Sequence, residues 1–205
     1  MSIKACRGVT LVELIVFIVI VGVALAGLFA AFNTITAASA DPQVRKQVLA
    51  IAESLMDEVA LMPFTFCDPD DANAATATSA TVGAGPTNCA TAAEVAAVLT
   101  TAPATNEAGE TRYGVSPDTP FDNVNDYHGF SLPAPPGIKG IAENAIAGLA
   151  GYSASISVTQ AGLSSGVDAI AADAALRISV TVTGPNGVST TLEGYRTRYA
   201  PNTVP

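Results

Sequence analysis

The chain has 205 residues, 49% of them hydrophobic, only 13% charged and 6% aromatic, with no Trp and a formal net charge of -9. That length suits one domain with an appendage. Nine Lys and Arg in all cannot build the clustered basic face that phosphate neutralisation needs, so nucleic acid is not an expected partner.

The apolar residues are concentrated near the start. Leu14 to Phe32 is an uninterrupted run of 19 uncharged, mostly large apolar residues. As a helix it would be about 28 Å long, close to the roughly 30 Å of a bilayer's hydrocarbon core. Lys4 and Arg7 precede the run and no Lys or Arg follows until Arg45, so the positive-inside bias predicts a cytoplasmic amino end and an exoplasmic remainder. Ala38-Ser39-Ala40 would serve as a signal-peptidase site, but the run exceeds the roughly 7–15 apolar residues of a secretory signal. Glu13 opens the run. A carboxylate in a membrane helix costs up to about 3 kcal/mol at the centre and less near an end, so its presence there points to a partner cation.

Gly8-Val9-Thr10-Leu11-Val12-Glu13-Leu14, followed by a long apolar helix, resembles the amino terminus of type IV prepilins and pseudopilins. The resemblance implies cleavage by a prepilin peptidase after Gly8, methylation of the new amino terminus at Val9, and an assembly role for Glu13, the fifth mature residue. It implies a leader at 1–8, a transmembrane and assembly helix at 9–40, and a periplasmic pilin-like domain at 41–205. It also implies the partners: the peptidase, other major and minor pilins, an inner-membrane assembly platform, and membrane lipid before assembly. The expected place is the bacterial inner membrane, single-pass, and then a pilus or pseudopilus filament. Many major pilins carry a Pro within this helix, whereas the run here has Gly22 and Gly27 but no Pro, which favours a minor pilin or pseudopilin.

Beyond Asp41-Pro42, where a proline can kink a helix, Val44, Val48, Ile51, Leu55, Val59 and Met62 recur at spacings of three and four. This is an amphipathic helix, ending near Pro63, whose apolar stripe is expected to pack on a sheet. Residues 65–111 then become rich in Ala, Thr, Ser and Gly, with Cys67 and Cys89 near the ends of the tract. Both lie beyond the membrane segment while Cys6 precedes it, so an oxidising compartment would pair Cys67 with Cys89 and hold a weakly apolar insertion compact. Metal binding by these cysteines lacks nearby His or further Cys. Thr91-Ala92-Ala93-Glu94 reads as a capping box opening a short helix through Leu99.

Asp122, Asn123, Asn125 and Asp126 offer oxygen ligands in a Gly/Pro-flanked loop, a hard-donor cluster of the kind that can hold calcium; the bland alternative is a capped, solvated turn. Asp68, Asp70 and Asp71 form a second acidic run but lack the Gly and the distal Glu of an EF-hand loop. His128 is the only histidine and no G-x-S-x-G elbow occurs, so no enzyme activity is expected.

In the last third, Tyr152, Ala154, Ile156 and Val158 alternate with hydroxyl residues, as do Leu176, Ile178, Val180 and Val182 with Arg177, Ser179, Thr181 and Thr183. These patterns predict half-buried strands, and Gly184-Pro185-Asn186-Gly187 joins the second to a third over Val188 to Tyr199. The predicted class is α+β, a long amino-terminal helix packed on an antiparallel sheet. The segment from Asp118 to Phe130 and Gly194-Tyr195-Arg196-Thr197-Arg198-Tyr199 resemble minor pilins of the mannose-sensitive haemagglutinin pilus, the MshD type. That likeness implies a minor pilin acting in pilus initiation or at the tip. A minor pseudopilin of a type II secretion apparatus shares the leader and architecture. A monomeric single-pass protein with an exoplasmic binding domain would leave Glu13 unexplained.

Overall fold

A computed structural model describes residues 9–91, 93–94, 110–115, 119–165 and 168–202, with the side chains of 34–41 and 164–168 set aside. The fold is α+β and pilin-like. Helix α1 is Leu11–Leu61, and Pro42 lies inside it rather than ending it. The chain divides into two compact units between Gln43 and Val44.

In the first unit, the stretch Leu11–Asn33 is long and apolar enough to cross a membrane. Its large side chains are exposed on every side, among them Phe17, Ile20 and Phe29. A helix apolar all round belongs in lipid or among other apolar helices.

The second unit holds the core. Strands β1 (Ser131–Leu132), β2 (Ser153–Gln160), β5 (Ala175–Thr183) and β6 (Ser189–Thr197) form an antiparallel sheet in the order β1-β2-β5-β6. A separate hairpin, β3 (Leu163–Ser165) with β4 (Asp168–Ile170), is inserted between β2 and β5. The period-two pattern sets the faces: Ala154, Ile156 and Val158 of β2 and Ile178, Val180 and Val182 of β5 are buried, and Ile156 pairs with Val180. Against them lie Val48, Ile51, Leu55 and Val59 of the predicted helix stripe, joined by Ala52, with Val44 and Met62 partly buried beside them. Each such large side chain contributes about 1.5–3 kcal/mol on burial. Gly194 on β6 leaves room for Met56, since a Cβ there would stand 3.1 Å from its sulfur.

The opposite face of the sheet is hydroxylic. Thr181 and Thr191, paired across β5 and β6, share a hydrogen bond of 2.9 Å. The β5–β6 connection is a tight 3-10 turn, Pro185–Gly187, in which Asn186 and Gly187 take the positive φ angles of 61° and 74° that a compact hairpin requires.

A buried ion pair lies within this unit. Arg112 Nε and Nη2 donate to the two carboxylate oxygens of Glu58 at 2.6 and 2.7 Å, and the Arg112 side chain is only 5% exposed. Tyr127 Oη donates to Glu58 Oε1, and Arg112 Nη1 donates to the carbonyl of Lys139. The guanidinium also lies 5.5 Å from the Tyr113 ring centre and 5.6 Å from that of Phe130. Burial pulls the Arg112 pKa down, but hydrogen bonding and the charge of Glu58 outweigh it, so the group is held above its ordinary value.

Candidate functional site

At the start of α1, the Thr10 hydroxyl accepts the N–H of Glu13 at 3.3 Å, and the Thr10 carbonyl accepts the N–H of Leu14. Thr10 therefore caps the helix, and Glu13 sits in the first turn, where the helix dipole favours a carboxylate. Val9 and Glu13 are exposed. Gly8 lies outside the described residues. The geometry gives a carboxylate on an apolar helix surface, accessible to a cation brought by another chain.

The cysteines meet in the second unit, where Cys67 and Cys89 form a disulfide. Around it Ala74 and Ala77 are buried with the two cysteines in a small core of their own. The Ala/Thr-rich tract has a second organiser that its composition conceals. Asp71, 6% exposed, accepts the N–H groups of Asn73 and Ala90 on Oδ1, and the N–H and hydroxyl of Thr91 on Oδ2. Asn73 reaches across the loop to the carbonyls of Gly85 and Asn88. The carboxyl-terminal end of the sheet closes over this region: the Arg198 guanidinium is 4.0 Å from the Phe64 ring centre and 4.7 Å from that of Phe66, and Asn202 donates to the carbonyls of Ala74 and Ala77. Replacing Cys67 and Cys89 by Ser should cost about 3 kcal/mol for a closed loop of 22 residues. Hydrogen exchange should show the loss chiefly in residues 67–91. Equal loss of protection in β2 and β5 would mean the bridge supports the whole unit.

The capping box expected at Thr91 to Glu94 is not formed. Thr91 spends its hydroxyl on Asp71, Ala93 pairs with Cys67 in an isolated bridge, and the Glu94 N–H donates to the Phe66 carbonyl. Residues 95–99, the rest of that expected helix, lie outside the described residues.

The box lies instead in the Asp/Asn segment. Asn123 caps a 3-10 turn, Val124–Tyr127, accepting the Asn125 N–H, while Asp126 Oδ2 accepts the N–H groups of Asp122 and Asn123 at 3.1 and 2.7 Å. This turn is capped but not solvated, since Asn123, Asn125 and Asp126 are all buried. Asn123 Nδ2 donates to the Thr65 hydroxyl, and Asn125 Nδ2 donates to Glu94 Oε2. The structure thus places Asn123 and Asp126 in local hydrogen bonds and brings Asp122 to distant partners. Carboxylate oxygens of Asp68, Glu110 and Asp122 all lie within 4.8 Å of one another.

Glu94 and Asp126 border this group. Burial, then the charge of Asp126, raises the Glu94 pKa to about 8. Burial, followed by the charges of Asp126, Asp68, Asp122 and Glu94, raises that of Glu110 to about 9. Asp126 is raised to about 6 by burial, against the hydrogen bonds from Asn123 and Asp122. Sequence reading gave Glu94 to a capping box and passed over Glu110, since no local pattern ties either to the distant Asp/Asn segment.

Residues 3–29 match the family model for the prokaryotic N-terminal methylation motif, which brackets Gly8, Val9 and Glu13. No curated protein and no solved structure matches the chain. A methylation motif on a helix apolar enough for inner-membrane anchoring, ahead of a helix-on-sheet unit, supports a subunit of the type IV pilin and pseudopilin family, processed by prepilin peptidase and assembled with other pilins.

Proposed function

We propose that this chain is a minor pilin, a structural subunit of a type IV pilus of the mannose-sensitive haemagglutinin kind, acting in initiation or at the tip. The methylation motif carries the reading, because it joins a cleavable Gly8 and a carboxylate at Glu13 to an apolar helix. The run Leu14 to Phe32 without Pro supports a minor role, and the likenesses at Asp118 to Phe130 and Gly194 to Tyr199 support the pilus over a type II secretion pseudopilus. Before assembly the subunit waits in the inner membrane, its carboxyl-terminal unit in the periplasm, until the assembly platform lifts it into the filament.

The mature chain should begin at Val9 and carry an N-methyl group there. Intact mass and amino-terminal sequencing of the membrane-derived protein decide this, and a chain beginning at Asp41 would instead mean a conventional signal peptide. The protein should also appear in sheared surface filaments at a small fraction of the major subunit. Its confinement to cells in which only a type II secretion system is made would move the assignment to a pseudopilin.

A further inference from the structure

We propose that Asp68, Glu110 and Asp122 form a calcium site. The three residues come from separate parts of the chain, yet one carboxylate oxygen of each lies within 4.8 Å of the other two. Oxygens that share one calcium ion at 2.3–2.6 Å lie at most about 5 Å apart, whereas the 2.0–2.1 Å shell of magnesium is about 4 Å across. Separations within that limit fit inside a calcium shell.

Acidic groups gather without a metal in many proteins, so a second observation matters. Glu110 is 8% exposed and its Oε2 has no hydrogen-bond partner among the described residues. Asp126, 2% exposed, commits Oδ2 to two backbone N–H groups and leaves Oδ1 with none. Asn125, fully buried, has its amide oxygen unpartnered as well. Buried oxygens without donors cost free energy comparable to a lost hydrogen bond or more, and all of these are acceptors. A positive charge would satisfy them.

A divalent cation supplies that charge. Bound at the three carboxylates, it would hold residue 68, next to the Cys67 bridge, to residue 110 and to the turn that begins at Asp122. Asp68 is prepared for this by the Asp70 N–H, which donates to Asp68 Oδ1 at 2.7 Å and fixes the carboxylate plane. Water completes a shell of six to eight oxygens. The site belongs to the second unit alone and holds whether or not the chain enters a pilus.

The test uses the full chain, purified in detergent and stripped with EGTA. Calorimetric titration with calcium chloride should give one ion per chain, and at about 100 times the dissociation constant calcium should raise the midpoint of thermal unfolding by roughly 5–10 °C. Glu110→Gln should weaken binding at least about tenfold and lose most of the shift, while Glu53→Gln, exposed on α1, should keep both. The proposal is overturned if wild type shows no binding heat and melts alike in calcium and EGTA, or if Glu110→Gln binds as tightly as wild type. An equal rise with magnesium would overturn the choice of ion. Should Glu110→Gln fail to fold, Asp68→Asn takes its place, and the wild-type titration decides the site regardless.

Discussion

Replacing Arg112 by Ala should destabilise the carboxyl-terminal unit by about 3–5 kcal/mol, the usual cost of removing one member of a buried ion pair. The effect is large because of what stays behind. Glu58 keeps a side chain only 18% exposed, with the Tyr127 hydroxyl as its remaining donor among the contacts described above. The Lys139 carbonyl and the aromatic faces of Tyr113 and Phe130 lose the same guanidinium. Arg112→Lys should recover little, since one ammonium cannot reproduce two parallel bonds to the carboxylate. By contrast, Arg112→Met combined with Glu58→Met should come back close to wild type, because an apolar pair of similar volume removes both desolvation costs together. Denaturant unfolding of Arg112→Met, Glu58→Met and their combination forms a cycle that isolates the pair. A loss below about 1 kcal/mol in Arg112→Ala would mean the pair behaves as an exposed salt bridge.

The contrast between this ion pair and the sheet explains what the sequence could disclose. β2 and β5 are written in strict alternation and the helix stripe from Val48 to Val59 recurs at helical spacing, so their faces follow from local pattern, while β6 was legible through the Gly184-Pro185-Asn186-Gly187 turn that leads into it. Glu58 and Arg112 are 54 positions apart, and Asp68 and Asp122 as far, with no periodicity linking them. Such contacts are created by the fold and carry no local signal. Thr91 to Glu94 shows the converse failure: a good local capping pattern lost because Asp71 and Asn125 offered those side chains tertiary bonds. In the Asp/Asn segment the acceptors were legible but their division was not, since Asn123 and Asp126 serve their own backbone while Asp122 joins acids from elsewhere. The three-residue strands β3 and β4 were too short to announce themselves.

The amino-terminal segment is the opposite case, legible as a motif yet silent in the fold of one chain, as the proposed partnership with another subunit requires. Glu13→Ala should therefore leave the stability of the unit from Val44 onward within about 0.5 kcal/mol of wild type, as expected for a change that touches none of its contacts. Cleavage after Gly8 and membrane levels should also be normal, since losing a charge from an apolar helix eases insertion. The defect should appear between subunits. In a filament of packed apolar helices the methylated amino terminus of one chain can neutralise the carboxylate of another, and without Glu13 that ammonium is left in a low-dielectric core. Even about 1.4 kcal/mol of lost interface energy is a tenfold loss of occupancy, and a buried charged pair commonly carries more. The measurement is the amount of this subunit in sheared filaments relative to that in membranes, compared between wild type and Glu13→Ala. Glu13→Asp should sit between the two, keeping the charge but shortening its reach by one methylene. Equal ratios in all three strains would show that register is set by apolar packing alone and that Glu13 is an interfacial carboxylate with no assembly contact.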